Sequence, residues 1–249
     1  MNEINIISSD ARYVALNEMF LENGYRSRIC TYDRVERANI LILPIKCALA
    51  DEDFSEIFLN LDKSAIVFSG QPERVRRYFD GKIIDYSADE GFLDKNAYIT
   101  AECAVSMALN DLQSTVSEIK CAVIGYGRIG RYLSKMLGSL GSSVTVLARR
   151  EESRSRARKD GFYATEIQQF QNERFDVVFN TVPVQIISKR VSDRISDKAL
   201  VYDLASLPGG FEDESFPKRA LALPGKMKPL SAGKAIFDFV VSCIPNERN

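Results

Sequence analysis

The chain has 249 residues, a length that predicts two domains. Of these residues, 45% are hydrophobic and 27% are charged, a composition that can fill ordinary hydrophobic cores. No apolar run of about 18 residues, no secretory signal pattern and a net charge of only −1 lead us to expect a cytoplasmic protein that binds neither membrane nor nucleic acid. The absence of histidine removes the usual general base and the commonest metal ligand, and five scattered cysteines predict buried thiols without a metal site.

Short β-rich runs alternate with helical runs from the N-terminus onward, which is typical of βαβ units around a parallel sheet. The first series predicts a flavodoxin-like or half-Rossmann layer of roughly five strands. Its predicted elements are strand Ile4–Ser8, helix Ala11–Glu22, strands Arg26–Tyr32, Ala38–Pro44 and Ser64–Gly70, helix Pro72–Phe79 and strand Lys82–Tyr86.

Residues 96–112 predict a long bridging helix, because their apolar residues recur at helical spacing on one face. We therefore expect an α/β fold of two doubly wound parallel-sheet (Rossmann-like) domains joined by this helix, with the C-terminal helix crossing back to the first domain. The first domain would comprise residues 1–97 with 231–249, and the second residues 98–230. The second series comprises strand Cys121–Gly125, helix Arg128–Leu140, strands Ser143–Ala148, Phe175–Thr181, Ala199–Ala205 and Ala220–Leu223, and a tail helix Ser231–Val241 with Ser231 as N-cap.

A Gly-x-Gly-x-x-Gly motif lies between a predicted strand and a predicted helix, as the phosphate-binding turn of a Rossmann domain requires. Gly125 permits the tight turn, Gly127 lets the backbone approach a pyrophosphate, and Gly130 allows close packing of helix against strand. The alternative is a glycine-rich turn that binds nothing. All six residues are candidate cofactor contacts: Gly125, Tyr126, Gly127, Arg128, Ile129 and Gly130.

The end of the following strand indicates which dinucleotide binds. NAD sites usually place Asp or Glu there to hold the ribose 2′-OH, whereas this chain has Ala148, Arg149 and Arg150. Guanidiniums suit a 2′-phosphate, so the sequence favours NADP. The alternative is that these arginines begin a solvated charged helix. By position at later strand ends, further cofactor contacts are expected at Asn180, Thr181, Val182, Pro183, Leu204, Ala205 and Ser206.

Several separate segments carry a resemblance to one family: Ser9–Arg12, Asn96–Glu102, Gly125–Gly130, Asn180–Pro183, Asp203–Gly210, Leu223–Lys226 and Ala232–Lys234. In these segments the chain resembles the A subunit of dipicolinate synthase. The resemblance implies oxidation of a dihydrodipicolinate-type intermediate to dipicolinate with NADP. It also implies a flavoprotein-like partner, which is the B subunit of dipicolinate synthase, together with a homo-oligomer and a place in the mother cell of a spore-forming bacterium.

A small dicarboxylate substrate calls for cations that position it against the cofactor. The candidate residues are Arg12, Lys226 and Lys234 as a clamp, Glu102 and Asp203 for proton handling, and Ser9, Thr100, Ser206, Pro224 and Gly225 as further substrate contacts. The alternative is that the cations are surface charges, that Glu102 charges a helix start and that Asp203 caps a loop. Two other functions remain open: another NADP-dependent oxo-acid, hydroxy-acid or shikimate-type dehydrogenase, and a non-catalytic NADP-binding sensor or assembly protein.

Overall fold

The computed structural model describes residues 3–35, 37–59, 61–169 and 174–244. These residues divide into two compact units, one within Met1–Asn96 and Pro224–Asn249 and the other within Ala97–Leu223. Each unit is built on a parallel sheet whose non-consecutive neighbours require crossover connections. The predicted α/β class with two doubly wound, Rossmann-like sheets is therefore confirmed.

The first unit contains a five-stranded sheet in the order β2-β1-β3-β4-β5, which is the flavodoxin-like order. Its central strands are buried on both faces and read as continuous apolar runs rather than alternating ones. The elements are β1 (Glu3–Ile7), α1 (Ala11–Glu22), β2 (Arg26–Cys30), β3 (Ile40–Ile42), α2 (Asp51–Glu56), β4 (Ile66–Ser69), α3 (Pro72–Val75) and β5 (Lys82–Asp85).

The second unit contains a six-stranded parallel sheet in the order β11-β10-β9-β6-β7-β8. A long helix, α4 (Glu90–Asp111), runs from the first unit into the second, as predicted. The remaining elements of this unit are β6 (Lys120–Ile124), α5 (Arg128–Ser139), β7 (Ser143–Leu147), α6 (Glu151–Lys159), β8 (Tyr163–Thr165), β9 (Val177–Asn180), α7 (Lys189–Ser192), β10 (Leu200–Asp203) and β11 (Lys218–Arg219). The short helix α8 (Leu223–Met227) follows and, apart from Leu223, belongs to the first unit.

The C-terminal helix α9 (Pro229–Cys243) belongs to the first unit, where it packs against α1. The rings of Phe20 and Phe237 lie 5.0 Å apart between the two helices. A side chain at Gly233 would place its Cβ 2.7 Å from the carbonyl oxygen of Arg12, so glycine permits this close approach. The predicted return of the C-terminal helix to the first domain is thus confirmed. Within the described ranges, no helix combines the length and apolarity that a membrane crossing needs.

Two predicted elements near the C-terminus are wrong. The strand predicted at Ala220–Leu223 is replaced by the two-residue β11 and by α8, because Ala222 has a φ of 57° and cannot continue an extended strand. Ser231 is not the N-cap of the last helix. That helix begins two residues earlier at Pro229, whose fixed φ suits a first helical position.

Candidate functional site

The turn between β6 and α5 has a geometry that glycine alone allows at two positions. Gly125 has a φ of 94°, and a Cβ there would lie 2.6 Å from Oγ1 of Thr181. A Cβ on Gly130 would lie 2.2 Å from the carbonyl oxygen of Gly125, since the first turn of α5 passes directly against the end of β6. Both glycines are therefore required by the protein's own packing.

Gly127 differs from the other two glycines of the motif. Its φ is −79°, and a Cβ built on it would meet no heavy atom within 4 Å. Neither backbone strain nor protein packing therefore requires glycine at this position. Gly127 is also the N-cap of the twelve-residue helix α5 and offers no side-chain cap. The open space in front of it lies at a helix N-terminus, where an anion is favoured.

A cavity of about 370 Å³ adjoins this turn at the carboxyl ends of β6, β7 and β9. Among the predicted contacts, Arg128, Ile129, Gly130, Asn180, Leu204, Ala205 and Ser206 do not line it. Sequence reasoning missed Ser153 and Arg156, which follow Arg150, the N-cap of α6, at successive intervals of three residues, and this helical spacing is the signal that could have found them. The full lining is Gly125, Tyr126, Gly127, Leu147, Ala148, Arg149, Arg150, Ser153, Arg156, Thr181, Val182, Pro183, Val184 and Ile186.

Three arginines line this cavity: Arg149, Arg150 and Arg156. Among the residues that the structure describes, none of their guanidiniums has an ion pair or hydrogen bond, whereas Arg154 and Arg158 on the same helix both pair with Glu151. No carboxylate lines the cavity within the described ranges. Like charges gathered in one place without counter-charge are a favourable setting for a polyanion.

Tyr126 of the glycine turn is buried, and its hydroxyl donates a 2.8 Å hydrogen bond to Oδ2 of Asp160, the C-cap of α6. Burial, together with this bond, raises the pKa of Tyr126 far above its ordinary value. The same bond, helped by Lys135 at 3.4 Å, lowers the pKa of Asp160. The Tyr126 hydroxyl thus links the glycine turn to α6. Because this hydroxyl is already hydrogen-bonded to Asp160, only the main chain of Tyr126 is available to bind a ligand.

Asp203 at the end of β10 is completely buried and accepts several hydrogen bonds. Its Oδ1 accepts from Nδ2 of Asn180 at 2.8 Å and from the main-chain N–H of Ala205 at 3.1 Å. Its Oδ2 accepts from the N–H of Gly210 at 3.1 Å and lies 3.4 Å from Nη1 of Arg219. A carboxylate this enclosed orders the loops after β9 and β10, and its proton-handling role stays a prediction.

Glu102 and Thr100 lie on α4, and neither lines the cavity beside the glycine turn. Thr100 is buried, and Glu102 borders a different cavity of about 480 Å³ between α4 and α5, with Tyr132 and Lys135. The expectation that Glu102 handles protons beside the cofactor is not supported by this position. Ser206 is exposed on the loop after β10.

In the first unit, Arg12 is only 7% exposed and its Nε donates to both carboxylate oxygens of Asp10, at 2.9 and 3.1 Å. Asp10 also caps α1 by accepting from the N–H of Arg12. Within the described part of the chain, the two terminal amino groups of this guanidinium have no hydrogen-bond partner. Neither amino group is among the fully buried side-chain atoms that lack a partner, so both have solvent access and can donate to an anion from outside the chain.

The other candidate substrate-binding residues of the first unit differ in whether they already contact groups of the protein. Lys234 is half exposed and donates to Asp238 at 2.8 Å, a carboxylate that it shares with Lys95, and its role in a substrate clamp stays a prediction. Lys226 is exposed and has no ion pair among the described residues, and Ser9 is also exposed. Gly225 and Pro224 are buried, and a Cβ on Gly225 would lie 2.3 Å from Oδ2 of Asp10, so Gly225 serves packing.

Comparison with known proteins agrees with this architecture. Residues 115–206 match the family described as acetohydroxy acid isomeroreductase, NADPH-binding domain. Over 244 residues the chain is 25% identical to the A subunit of dipicolinate synthase from Bacillus subtilis (strain 168), covering 87% of this chain and 82% of the relative. The resemblance to this dipicolinate synthase protein is confirmed.

A crystal structure of the A subunit of dipicolinate synthase from Bacillus halodurans superposes with a TM-score of 0.79 at 20% identity and covers 97% of each chain. A putative D-3-phosphoglycerate dehydrogenase from Ralstonia solanacearum superposes with a TM-score of 0.57 at 14% identity, covering all of this chain and 97% of the other. The chain therefore has a two-domain fold that solved dehydrogenases also have, and the segment that matches an NADPH-binding domain lies in its second unit, which supports a nicotinamide cofactor.

Proposed function

We propose that the protein is an NADP-dependent dehydrogenase subunit that oxidises a dihydrodipicolinate-type intermediate to dipicolinate. The observation that carries the proposal is the set of three guanidiniums, Arg149, Arg150 and Arg156, that line the cavity beside the glycine turn without a counter-charge among the described residues. A 2′-phosphate carries the charge and the acceptor oxygens that arginines bind well. The carboxylate that holds the 2′-OH of NAD at this position is replaced here by Ala148 and Arg149.

The residues of the turn fit a dinucleotide pyrophosphate. Gly127 leaves the space in front of α5 empty although neither its φ nor its neighbours demand glycine. A pyrophosphate close to the backbone explains why a side chain is absent there. Thr181 and Val182 close the other side of the turn, where Thr181 is held by a 2.9 Å bond to the carbonyl of Ile124. When bound, NADP supplies the hydride acceptor.

The substrate side of the proposal rests on Arg12. Asp10 uses only the Nε edge of its guanidinium, which leaves the edge with two amino groups for a second carboxylate. That edge can bind a carboxylate in the bidentate manner, and Lys226 is a second cation without an ion pair among the described residues. The two cations together suit a small dicarboxylate such as a dihydropyridine dicarboxylate.

The chemistry asks little of the protein beyond position. A dihydropyridine dicarboxylate becomes aromatic when it loses a hydride to the nicotinamide and a proton to solvent or a base. The chain contains no histidine for that proton. The role of Arg12 is then to hold the substrate in a reactive orientation, which is itself a large part of catalysis.

The relative in Bacillus subtilis is named as one subunit of a synthase, and we extend this to the present chain. We propose a flavoprotein-like partner, the B subunit of dipicolinate synthase, an assembly that also contains several copies of this chain, and expression in the mother cell of a spore-forming bacterium. Loss of turnover without the partner and its return on addition of the partner would support the pairing.

The test is an assay with purified protein, freshly made dihydrodipicolinate precursor and either NADP or NAD, with and without the partner protein. The proposal predicts the ultraviolet absorbance of a pyridine product, formed faster with NADP. Arg12→Ala should abolish product while NADPH binding persists, and Arg34→Ala, an exposed arginine of the same unit, should change neither.

Two results would replace this function. No product with either nucleotide, combined with tight NADPH binding and no turnover of any substrate, indicates a non-catalytic sensor or assembly protein. Turnover of a 2-oxo acid or a shikimate-type substrate with NADPH, and none of the dihydropyridine, indicates another dehydrogenase.

A further inference from the structure

The loop between β7 and α6 consists of three residues, Ala148, Arg149 and Arg150, and two of the three cavity arginines lie on it. One residue, Arg154, holds all three carbonyls of this loop. Its Nη1 donates to the carbonyl oxygens of Ala148 and Arg149, each at 2.7 Å, and its main-chain N–H donates to that of Arg150 at 3.2 Å. The path of the loop backbone is thus fixed from within α6.

Glu151 holds the other edge of the same guanidinium. Its Oε2 accepts from Nε of Arg154 at 2.9 Å and lies 2.7 Å from Nη2, and its Oε1 accepts from Arg158. These bonds lower the pKa of Glu151, with the bond from Arg158 as the largest cause. Arg154 is only 15% exposed and does not line the cavity. The guanidinium of Arg154 therefore donates to groups of the protein itself, whereas within the described part of the chain those of Arg149, Arg150 and Arg156 do not.

We propose that Arg154 is a positioning residue for nucleotide specificity, which fixes the loop so that Arg149 and Arg150 remain at the place of the 2′-phosphate. This inference rests on the proposed use of NADP. A loop whose carbonyls are already bound does not lose backbone freedom when the phosphate arrives, and preorganisation of this kind improves affinity. The nicotinamide and pyrophosphate are held elsewhere, so the benefit is confined to the nucleotide with the phosphate.

The expected signature is a change in the ratio of two affinities. Arg154→Ala frees the carbonyls of Ala148 and Arg149 and should weaken NADPH by about fivefold, near 1 kcal/mol. NADH, which lacks the 2′-phosphate, should change by less than about twofold. Arg154→Lys keeps the charge and three donors but lacks the planar fork of the guanidinium, so it should hold the loop carbonyls less well and give an intermediate ratio.

The experiment titrates the full chain with NADPH and with NADH and follows the fluorescence of the reduced nicotinamide, which is excited at wavelengths where the protein's side chains do not absorb. Arg158→Ala is the matched control, since Arg158 shares Glu151 but has no bond to the loop carbonyls. It should leave both affinities within about twofold. Melting temperatures of all variants are recorded beside the titrations.

The possible results distinguish a failure of the positioning role of Arg154 from a failure of the proposed use of NADP. An equal loss of both nucleotides in Arg154→Ala and Arg154→Lys, or no loss of either, overturns the positioning role. If Arg154→Ala does not fold, Arg154→Lys decides alone: a lowered NADPH preference supports the role, and an unchanged preference removes it. A wild-type protein that binds NADH as tightly as NADPH instead overturns the choice of NADP itself.

Discussion

In each unit the first strand is followed by a short turn and a helix of twelve residues, but the helix after each turn has a different N-cap. In the first unit the N-cap of α1 is Asp10, whose carboxylate accepts from the helix and neutralises Arg12. In the second unit the N-cap of α5 is Gly127, which supplies no side chain. An acidic cap fills the position that a phosphate would take, whereas a glycine cap leaves it open.

The same topology therefore gives two different surfaces because of one residue in each turn. The capped turn stabilises its own helix and leaves one edge of a buried guanidinium for a carboxylate. The open turn leaves helix N–H groups and three nearby arginines for a larger anion. Function in this chain follows from the turn residues and their charges rather than from the fold, which both units share in outline.

The glycine pair of the open turn gives the largest expected effects. Gly127→Ala should weaken NADPH by about a hundredfold, near 2.7 kcal/mol, because a methyl group would enter the space meant for the pyrophosphate. The same variant should melt like the wild type, since its Cβ meets no protein atom. Gly130→Ala should instead lower the free energy of unfolding by about 1 to 3 kcal/mol, because its Cβ strikes the carbonyl of Gly125.

Calorimetric titration and urea unfolding of these two variants check the pair. If Gly127→Ala binds NADPH normally, the space in front of α5 does not hold the pyrophosphate and the comparison of the two turns loses its basis.

The next effect in size concerns the arginines after β7. Arg150→Ala should weaken NADPH by about tenfold, since a hydrogen bond to a charged group contributes about 1.5 to 3 kcal/mol, while NADH binding stays near its wild-type value. Arg149→Ala should behave in the same way. Parallel titrations with both nucleotides measure this, and an equal loss of NADPH and NADH would mean that these arginines do not bind the 2′-phosphate.

In the capped turn, Asp10→Ala should lower the free energy of unfolding by about 1 kcal/mol through loss of the helix cap. NADPH affinity should be unchanged. Asp10→Asn can still cap α1 but loses the charge beside Arg12, so it should cost less stability. Urea unfolding with a nucleotide titration on each variant checks both statements. A large loss of NADPH binding in Asp10→Ala would contradict the division of roles between the turns.

The smallest effect is a pH dependence. The bond from Tyr126 lowers the pKa of Asp160 in the folded protein, so it stabilises the fold above the unfolded pKa of about 3.9 and is lost as the pH falls through the folded value. Tyr126→Phe should therefore lose less stability than the wild type between about pH 6 and pH 3. Melting curves across this range test it, and parallel curves for the two proteins would show that the bond carries no proton linkage.

Much of the fold was predictable from local pattern. Helix α1 was predicted with the bounds that the structure shows, because Gly24 marks the end of the helical run. Helix α2 was not predicted, since only Phe54 of its six residues is buried and a single apolar position has no periodicity. The strand β8 has three residues and was missed for a similar reason.

The glycine turn could be predicted from the sequence because its glycines lie close together in the chain. The hydrogen-bond and ion-pair partners of the charged residues could not be predicted. The position after β7 singles out Arg149 and Arg150, but only the structure adds Arg156 to the cavity and shows that Arg154 and Arg158 bind Glu151. The same limit applies to Lys234, which meets Asp238, and to Asp203, which meets donors from three chain segments. Such pairings depend on side-chain directions that a one-dimensional pattern does not contain.

The proposed selection of NADP depends on the open, arginine-lined turn of the second unit. It is tested by the dissociation constants of the wild-type chain for NADPH and NADH, measured at one ionic strength. We expect NADPH to bind at least about tenfold more tightly than NADH, a difference of about 1.4 kcal/mol. Equal affinities, or tighter binding of NADH, would contradict it.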